Sequence, residues 1–301
     1  AVDPVAAPAP TPPPAGSAAG AAEPPRVADL IEALGYQEQV ARGLARMGTA
    51  AAERRVEGIR DRGRREQRRA ALQALAARFE QRFDWPTILP LMVAGWQEHL
   101  DAGHLQALSD FLDTEAGRLY AGKGMAAINE AAIDQAIHLD AAIDAVFDRP
   151  ADVAPPRLPR VREPAPDSHA GLALRWLRLH DPEQAQVFAD RKAQGLEAAR
   201  NAFGAATDGD TLPPELQKIL DAYVAEIRLH DLERVAVRRV VGELDRAELT
   251  LLVEAFDTPA MQELATARAR ADRASGERFA ALVQQALADG LMWELMRVMA
   301  D

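Results

Sequence analysis

The chain has 301 residues, of which 48% are hydrophobic, 27% charged and 5% aromatic, and its formal net charge at pH 7 is −11. That acidity argues against general nucleic-acid binding, which needs a broad basic surface. The absence of cysteine excludes disulfides, thiol nucleophiles and cysteine-ligated metals. No run of ~18 apolar residues predicts a membrane span. The abundance of Ala, Leu, Arg, Glu and Gln predicts an all-α protein.

The first segment, residues 1–25, is rich in Ala and Pro and has almost no charge. Such a segment cannot bury enough surface to offset its ordering entropy, so it predicts a disordered tail, either a spacer or a passive extension. The chain begins at Ala1 rather than Met, as an exported protein does once its signal peptide has been removed, although a truncated chain would begin in the same way. We therefore expect a periplasmic or secreted protein.

Apolar side chains recur at helical spacing between residues 27 and 150, which predicts a first helical domain. One stripe runs from Leu72 to Phe83, and another runs from Ile88 to Leu100. Stripes of this width face a core or a partner rather than water.

An arginine cluster lies near the start of this domain, where residues 53–69 carry eight arginines against four acids. It is either a contact for anionic lipid, a polyanion or an acidic partner, or a solvated helix face with pairs such as Asp61–Arg65. The arginine cluster consists of Arg54, Arg55, Arg60, Arg62, Arg64, Arg65, Arg68 and Arg69.

A motif near residue 100 recurs 144 positions later, which predicts that the chain contains the same domain twice. Asp101 and Asp245 are expected to be helix N-caps, and Thr114 and Thr258 to cap the helices that follow. The sequence Gly-Lys-Gly at 122–124 predicts a break between helices. The residues of the motif are Leu100, Asp101, Leu105, Leu108, Phe111, Thr114, Gly117 and Leu119 in the first copy, and Leu244, Asp245, Leu249, Leu252, Phe256, Thr258 and Pro259 in the second.

Six prolines in residues 150–167 predict a stiff linker over 151–167 and a second helical domain over 168–301. Ser168 is expected to cap the first helix of that domain. Such a linker allows either two helical domains packed on each other or two separate modules.

The segment from Leu100 to Leu119 resembles the signature of the bacterial domain-of-unknown-function family numbered 2059. Phe111, Thr114 and Gly117 occupy its positions, whereas the second copy has Met261 where the family has glycine. The resemblance implies a helical protein exported to the bacterial periplasm. It implies no activity, because the family has none assigned.

No group of residues predicts a catalytic or metal centre. The six histidines form no His-x-x-x-His or Glu-x-x-His pair, and Asp134 with His138 is more typical of an ion pair on a solvated face than of a metal site. None of the four serines lies in a nucleophile turn. We therefore predict no catalytic, cofactor-binding or metal-binding residues.

These observations lead to the hypothesis of a non-enzymatic, exported helical module that binds another protein or an envelope component. The alternative is a carrier of a lipid or other hydrophobic ligand in a cavity between helices, which a solid core would argue against. A lesser alternative is an enzyme with unmarked carboxylate chemistry. The methionine-rich run 291–299 indicates either a docked terminal helix or an adaptable binding face.

Overall fold

The computed structural model describes residues 25–57, 59–149, 162–206 and 214–286, together with positions 153, 156 and 288. Over these residues the chain is helical and has no strand, so the all-α prediction is confirmed. The predicted tail up to residue 24, most of the predicted linker and the methionine-rich run 291–299 lie outside the described residues.

Thirteen α-helices follow one another in the part of the chain that the structure describes. They are α1 Val27–Ala33, α2 Tyr36–Glu57, α3 Arg62–Arg82, α4 Trp85–His99, α5 Ala102–Leu112, α6 Glu115–Leu119, α7 Met125–Phe147, α8 His169–His180, α9 Gln184–Ala206, α10 Pro214–Glu226, α11 Leu229–Glu243, α12 Arg246–Phe256 and α13 Pro259–Ala286. We call α1–α7 the first half and α8–α13 the second half.

The helix bounds recur along the chain. Shifted by 144 positions, the bounds of α4 coincide with those of α11, and those of α5 coincide with those of α12. We use the word counterpart for two residues related by this shift. The recurrence gives the two halves the same helix order around their central corner.

The N-caps predicted at this corner are confirmed. The Asp101 carboxylate accepts a hydrogen bond from His104 N at 2.8 Å, and the Asp245 carboxylate accepts one from Glu248 N at 2.9 Å. Both helices carry a reciprocal capping box, because the side chains of His104 and Glu248 accept from the backbone N–H of the cap residue. The box in the second half is visible in the sequence, whereas the box made by histidine is not.

The helix that follows begins where expected but is capped more tightly in the first half. Gly117 N donates to Thr114 Oγ1 at 2.9 Å, whereas Met261 N lies 3.3 Å from Thr258 Oγ1. A Cβ atom at Gly117 would overlap the carbonyl oxygen of Phe111, so only glycine fits this turn. The wider cap in the second half leaves room for the methionine.

The break predicted at 122–124 is wrong, because a π-helical turn, Tyr120–Gly124, joins α6 to α7 without interruption. Neither Gly122 nor Gly124 has a positive φ, so both continue the helix. A π turn accommodates one extra residue per turn while the backbone stays hydrogen-bonded.

The two halves pack together and are not separate modules. Helix α4 lies along α13, and α7 lies along α11, so each long contact joins one helix from each half. Phe111 of α5 meets Phe256 of α12 edge to face, with ring centroids 5.6 Å apart. Buried residues of both halves belong to one hydrophobic core.

Candidate functional site

A half-open cavity of about 370 Å³ lies between the halves, lined by α7 from the first half and by α8, α9, α11 and α13 from the second. Its apolar wall is formed by small and aliphatic side chains. These are Ile128, Ala131 and Ala132 of α7, Leu177 of α8, Ala236 of α11 and Ala269 of α13.

The polar wall of the cavity is organised by Arg268, whose side chain is only 3% exposed. Its guanidinium donates to Asp272 Oδ2 at 3.1 Å and to His180 Nε2 at 2.6 Å. It also donates to the backbone oxygen of His180 at 3.3 Å. A buried guanidinium needs such partners, because an unpaired charge in the interior is strongly destabilising.

Asp272 links this wall to the first half. Its carboxylate accepts hydrogen bonds from the hydroxyl of Tyr36 at 2.9 Å and from Trp96 Nε1 at 3.0 Å. Burial raises the pKa of the Asp272 carboxyl, while the Arg268 guanidinium and the hydrogen bonds from Tyr36 and Trp96 act in the opposite direction. Three donors therefore occupy its two oxygens.

The ring of His180 has one nitrogen in use and one available. Because arginine can only donate, His180 Nε2 is an acceptor, and the neutral ring carries its proton on Nδ1. Burial and the adjacent Arg268 guanidinium hold the pKa of His180 well below its ordinary range. The hydroxyl of Tyr120 lies 3.1 Å from the same Nε2. Nothing in the described residues accepts a hydrogen bond from Nδ1–H, which belongs to a side chain that lines the cavity.

Some of the remaining polar groups at the cavity have hydrogen-bond or ion-pair partners, and others have none among the described residues. The acids Asp181 and Glu233 are paired with arginines, at 3.2 Å and 2.8 Å respectively. By contrast, the side-chain amide of Gln184 and the guanidinium of Arg191, both on α9, have no hydrogen-bond partner within the described ranges. The cavity therefore offers three unused donor groups, those of His180, Gln184 and Arg191.

The arginine cluster predicted from the sequence lies on the hairpin of α2 and α3, and none of its members lines the cavity. Several members are engaged: Arg54 with Asp140, Arg62 with Glu66 at 2.9 Å, Arg69 with Glu53 at 2.9 Å, and Arg65 with the backbone oxygen of Ile59 at 2.8 Å. The expected Asp61–Arg65 pair is replaced, because Asp61 caps α3 through Arg64 N. The exposed members Arg55, Arg60 and Arg64 have no side-chain partner among the described residues, and Arg68 is engaged.

The motif residues have structural positions in the corner between helices rather than at the cavity. Leu100, Leu108, Leu244, Leu249 and Phe256 are buried in the shared core. Asp134 ion-pairs with Arg46 and with Arg239, at 2.8 Å each. Burial raises the pKa of the Asp134 carboxyl, but the hydrogen bonds from these two arginines outweigh burial and hold that pKa below its ordinary value.

The described ranges contain no group of three His, Asp or Glu side chains arranged to hold a metal ion. None of their helices has both the length and the apolar character needed to cross a bilayer.

No protein-family model matches the chain, and no curated protein or solved structure matches it. The resemblance of Leu100–Leu119 to family 2059 therefore stays a prediction.

Proposed function

We propose that the protein is a non-enzymatic binding protein that carries a small, largely apolar molecule in the cavity between its two halves. The observation that carries this proposal is the cavity itself, which combines an apolar wall with donors that the protein does not use. Its volume of about 370 Å³ lies within the range of small-molecule sites.

The polar wall supports binding rather than catalysis. A general base needs a free lone pair within reach of the substrate. The single lone pair of His180 Nε2 is occupied by Arg268, so proton abstraction by His180 would require that hydrogen bond to break. Asp272 accepts from three donor side chains that hold it in place as a structural partner of Arg268.

The proposal is tested with N-phenyl-1-naphthylamine, a neutral apolar dye whose fluorescence rises when it leaves water. The dye is expected to bind the wild type with one site. Ala132→Phe, which adds a ring at the cavity wall from an exposed position, is expected to abolish binding. Ala141→Phe adds the same ring to the exposed face of α7 away from the cavity and is expected to leave binding unchanged. Equal binding by the two variants, or none by the wild type, would contradict the proposal.

A second candidate function is the binding of an acidic protein or envelope component by the arginine cluster. Its support is the exposure of Arg55, Arg60 and Arg64 without acidic partners in the part of the chain that the structure describes. Reversal of these three charges to Glu should release the protein from its own cell-envelope fraction in a cosedimentation assay. Reversal of the exposed Arg200 on α9 is the control. Identical sedimentation of both variants would exclude the cluster as the contact.

The proposal also covers how the chain arose, by duplication of one domain, and where the protein is located in the cell. The recurrence of the helix bounds at 144 positions supports an internal duplication, with domains over 27–150 and 168–301 joined by the linker 151–167. The resemblance to family 2059 supports a periplasmic or secreted protein. Fractionation of bacterial cells that express the complete gene tests the location, and recovery only in the cytoplasm would exclude it.

A further inference from the structure

We infer that the molecule held in the cavity is an amphiphile with a carboxylate head, which α8 and α9 bind through His180, Gln184 and Arg191. This inference rests on the proposed function, because it names the chemistry of the ligand that the cavity holds.

The first observation is that the unpaired charge at the cavity is positive. Each of the lining acids is paired with an arginine: Asp181 with Arg273, Glu233 with Arg178, and Asp272 with Arg268. Arg191 is the lining arginine without a partner among the described residues. Arg273 and Arg178 are shared with Glu183 and Glu163, so the paired groups leave no surplus positive charge. Arg191 is exposed to solvent and, within the described ranges, is the one unpaired charge that a ligand head would meet at this cavity, which favours a carboxylate.

The second observation is the unused donor on His180, whose residue is 9% exposed. The Nδ1 atom is open to the cavity rather than sealed from solvent, so a bound carboxylate oxygen can accept its hydrogen in place of water. Arg268 occupies Nε2 and so fixes Nδ1–H as the donor. The positioning role of Arg268 is thus to hold the histidine in the tautomer that can donate to an acceptor in the cavity.

The start of α9 adds to the same preference. Gln184 is the first residue of this 23-residue helix, and Arg191 follows two turns later on the same face. The N-terminus of a helix carries partial positive charge that favours an anion. The amide, the guanidinium and the helix end therefore favour the same kind of head group.

The apolar wall accounts for the rest of the ligand. Ile128, Ala131 and Ala236 present only carbon to the cavity, on α7 and α11. An aliphatic chain packs against such a surface without leaving polar groups unsatisfied, whereas a sugar or a peptide would lose hydrogen bonds there. A medium-chain fatty acid has the required head and tail.

The test uses decanoate and decanol, which share a chain and differ in the head, with binding measured by calorimetric titration of the full chain. We expect decanoate to bind about tenfold more tightly than decanol, because only the carboxylate engages charged and neutral donors together. Arg191→Gln should weaken decanoate about 3- to 10-fold and leave decanol unchanged. Gln184→Glu, which places a carboxylate at the head-group position, should weaken decanoate further.

The control variant is Arg200→Gln, which removes the same charge from an exposed position on the same helix outside the cavity. It should leave both affinities unchanged. Equal affinities for decanoate and decanol would overturn the head-group inference while dye binding kept the proposed function intact. A decanoate preference that survives both cavity variants would overturn the assignment to α9. Failure of decanoate, decanol and dye to bind would overturn both proposals.

Discussion

Two pairs of helices make the main contacts between the halves, α4 with α13 and α7 with α11, and α4 and α11 are related by the shift of 144 positions. Large side chains fill the first contact, whereas small side chains line a cavity beside the second. On α4, facing α13, Met92 and Trp96 are large and buried. Their counterparts on α11, next to α7, are Ala236 and Val240. The contact of α4 with α13 is therefore filled, whereas the contact of α7 with α11 borders the cavity.

Glycine placement sharpens the contrast. A Cβ atom at Gly95 on α4 would lie 2.8 Å from Ser275 N and 2.9 Å from Ala271 O, so the two backbones touch there. The counterpart on α11 is Arg239, whose guanidinium reaches Asp134 of α7 at 2.8 Å. One contact is closed by glycine and large apolar residues, and the other is bridged by an ion pair. The difference shows that a repeated helix order leaves the choice between core and cavity to a few side-chain volumes.

The largest expected effect concerns the buried Arg268, whose counterpart in the first half is Gly124. Arg268→Leu leaves the Asp272 carboxylate, which is 30% exposed, without its cation and removes the guanidinium from Nε2 and the backbone oxygen of the buried His180. We expect the free energy of unfolding to fall by about 3–5 kcal/mol in urea titrations. Arg270→Leu, which breaks an exposed pair with Glu183 on the same helix, should change it very little. Adding Asp272→Asn to Arg268→Leu should recover part of the loss. No recovery would show that the pair is not the cause.

The difference between the two contacts is tested by exchanging the side chains of one pair of counterparts, Met92 on α4 and Ala236 on α11. Met92→Ala removes a buried side chain, and we expect a loss of about 2–5 kcal/mol in the free energy of unfolding. Ala236→Met, the reciprocal change, should alter stability by less than about 1.5 kcal/mol because the cavity has room for the side chain. It should also abolish dye binding. A large loss in Ala236→Met would mean that the α7–α11 contact is already filled.

The close approach of α4 to α13 gives the next effect. Gly95→Ala should lower the free energy of unfolding by about 1–3 kcal/mol, because the new methyl group meets the Ser275 hydroxyl and also backbone atoms of Ser275 and Ala271, which cannot rotate away. Gly242→Ala on α11 is the matched control, since no atom lies within 4 Å of its added Cβ. That control should gain up to about 1 kcal/mol from helix propensity. Chemical denaturation of both variants distinguishes packing from propensity.

The smallest effect is a pH dependence from His180. Its pKa is lower in the folded protein than in the unfolded chain, so the unfolded chain binds the additional proton. The stability contribution is complete above the unfolded pKa of about 6.5 and falls by up to about 1.4 kcal/mol per pH unit as the pH decreases. The raised pKa of Asp272 acts in the opposite direction. We expect the slope of unfolding free energy between pH 6.5 and 5 to decrease in His180→Gln. An unchanged slope would exclude His180 as its source.

The sequence predicts the parts of this molecule that depend on local chemistry. The caps at Asp101, Asp245 and Ser168 follow from short side chains placed before apolar runs, and the structure confirms them. The π turn after α6 was missed, because glycines that remain helical look the same in a sequence as glycines that end a helix.

The cavity was not predictable in the same way. Arg268 and Asp272 are spaced four apart in an alanine-rich helix, which is the pattern of an ordinary exposed ion pair. The burial of Arg268 depends on α13 lying between helices of both halves, and its partner His180 is 88 positions away in the sequence. The sequence signal for the cavity lies in the comparison of counterparts, because Ala236 occupies the position on α11 that Met92 occupies on α4.

The central claim, that a ligand occupies the contact of α7 with α11 and not that of α4 with α13, is tested most directly by NMR of alanine methyl groups during titration with N-phenyl-1-naphthylamine. We predict that the methyl signals of Ala131, Ala236 and Ala269, which line the cavity, shift as the dye binds. The methyl signal of Ala271, at the closed contact near Gly95, should stay in place. Shifts at Ala271 with none at Ala131 and Ala236 would contradict the account.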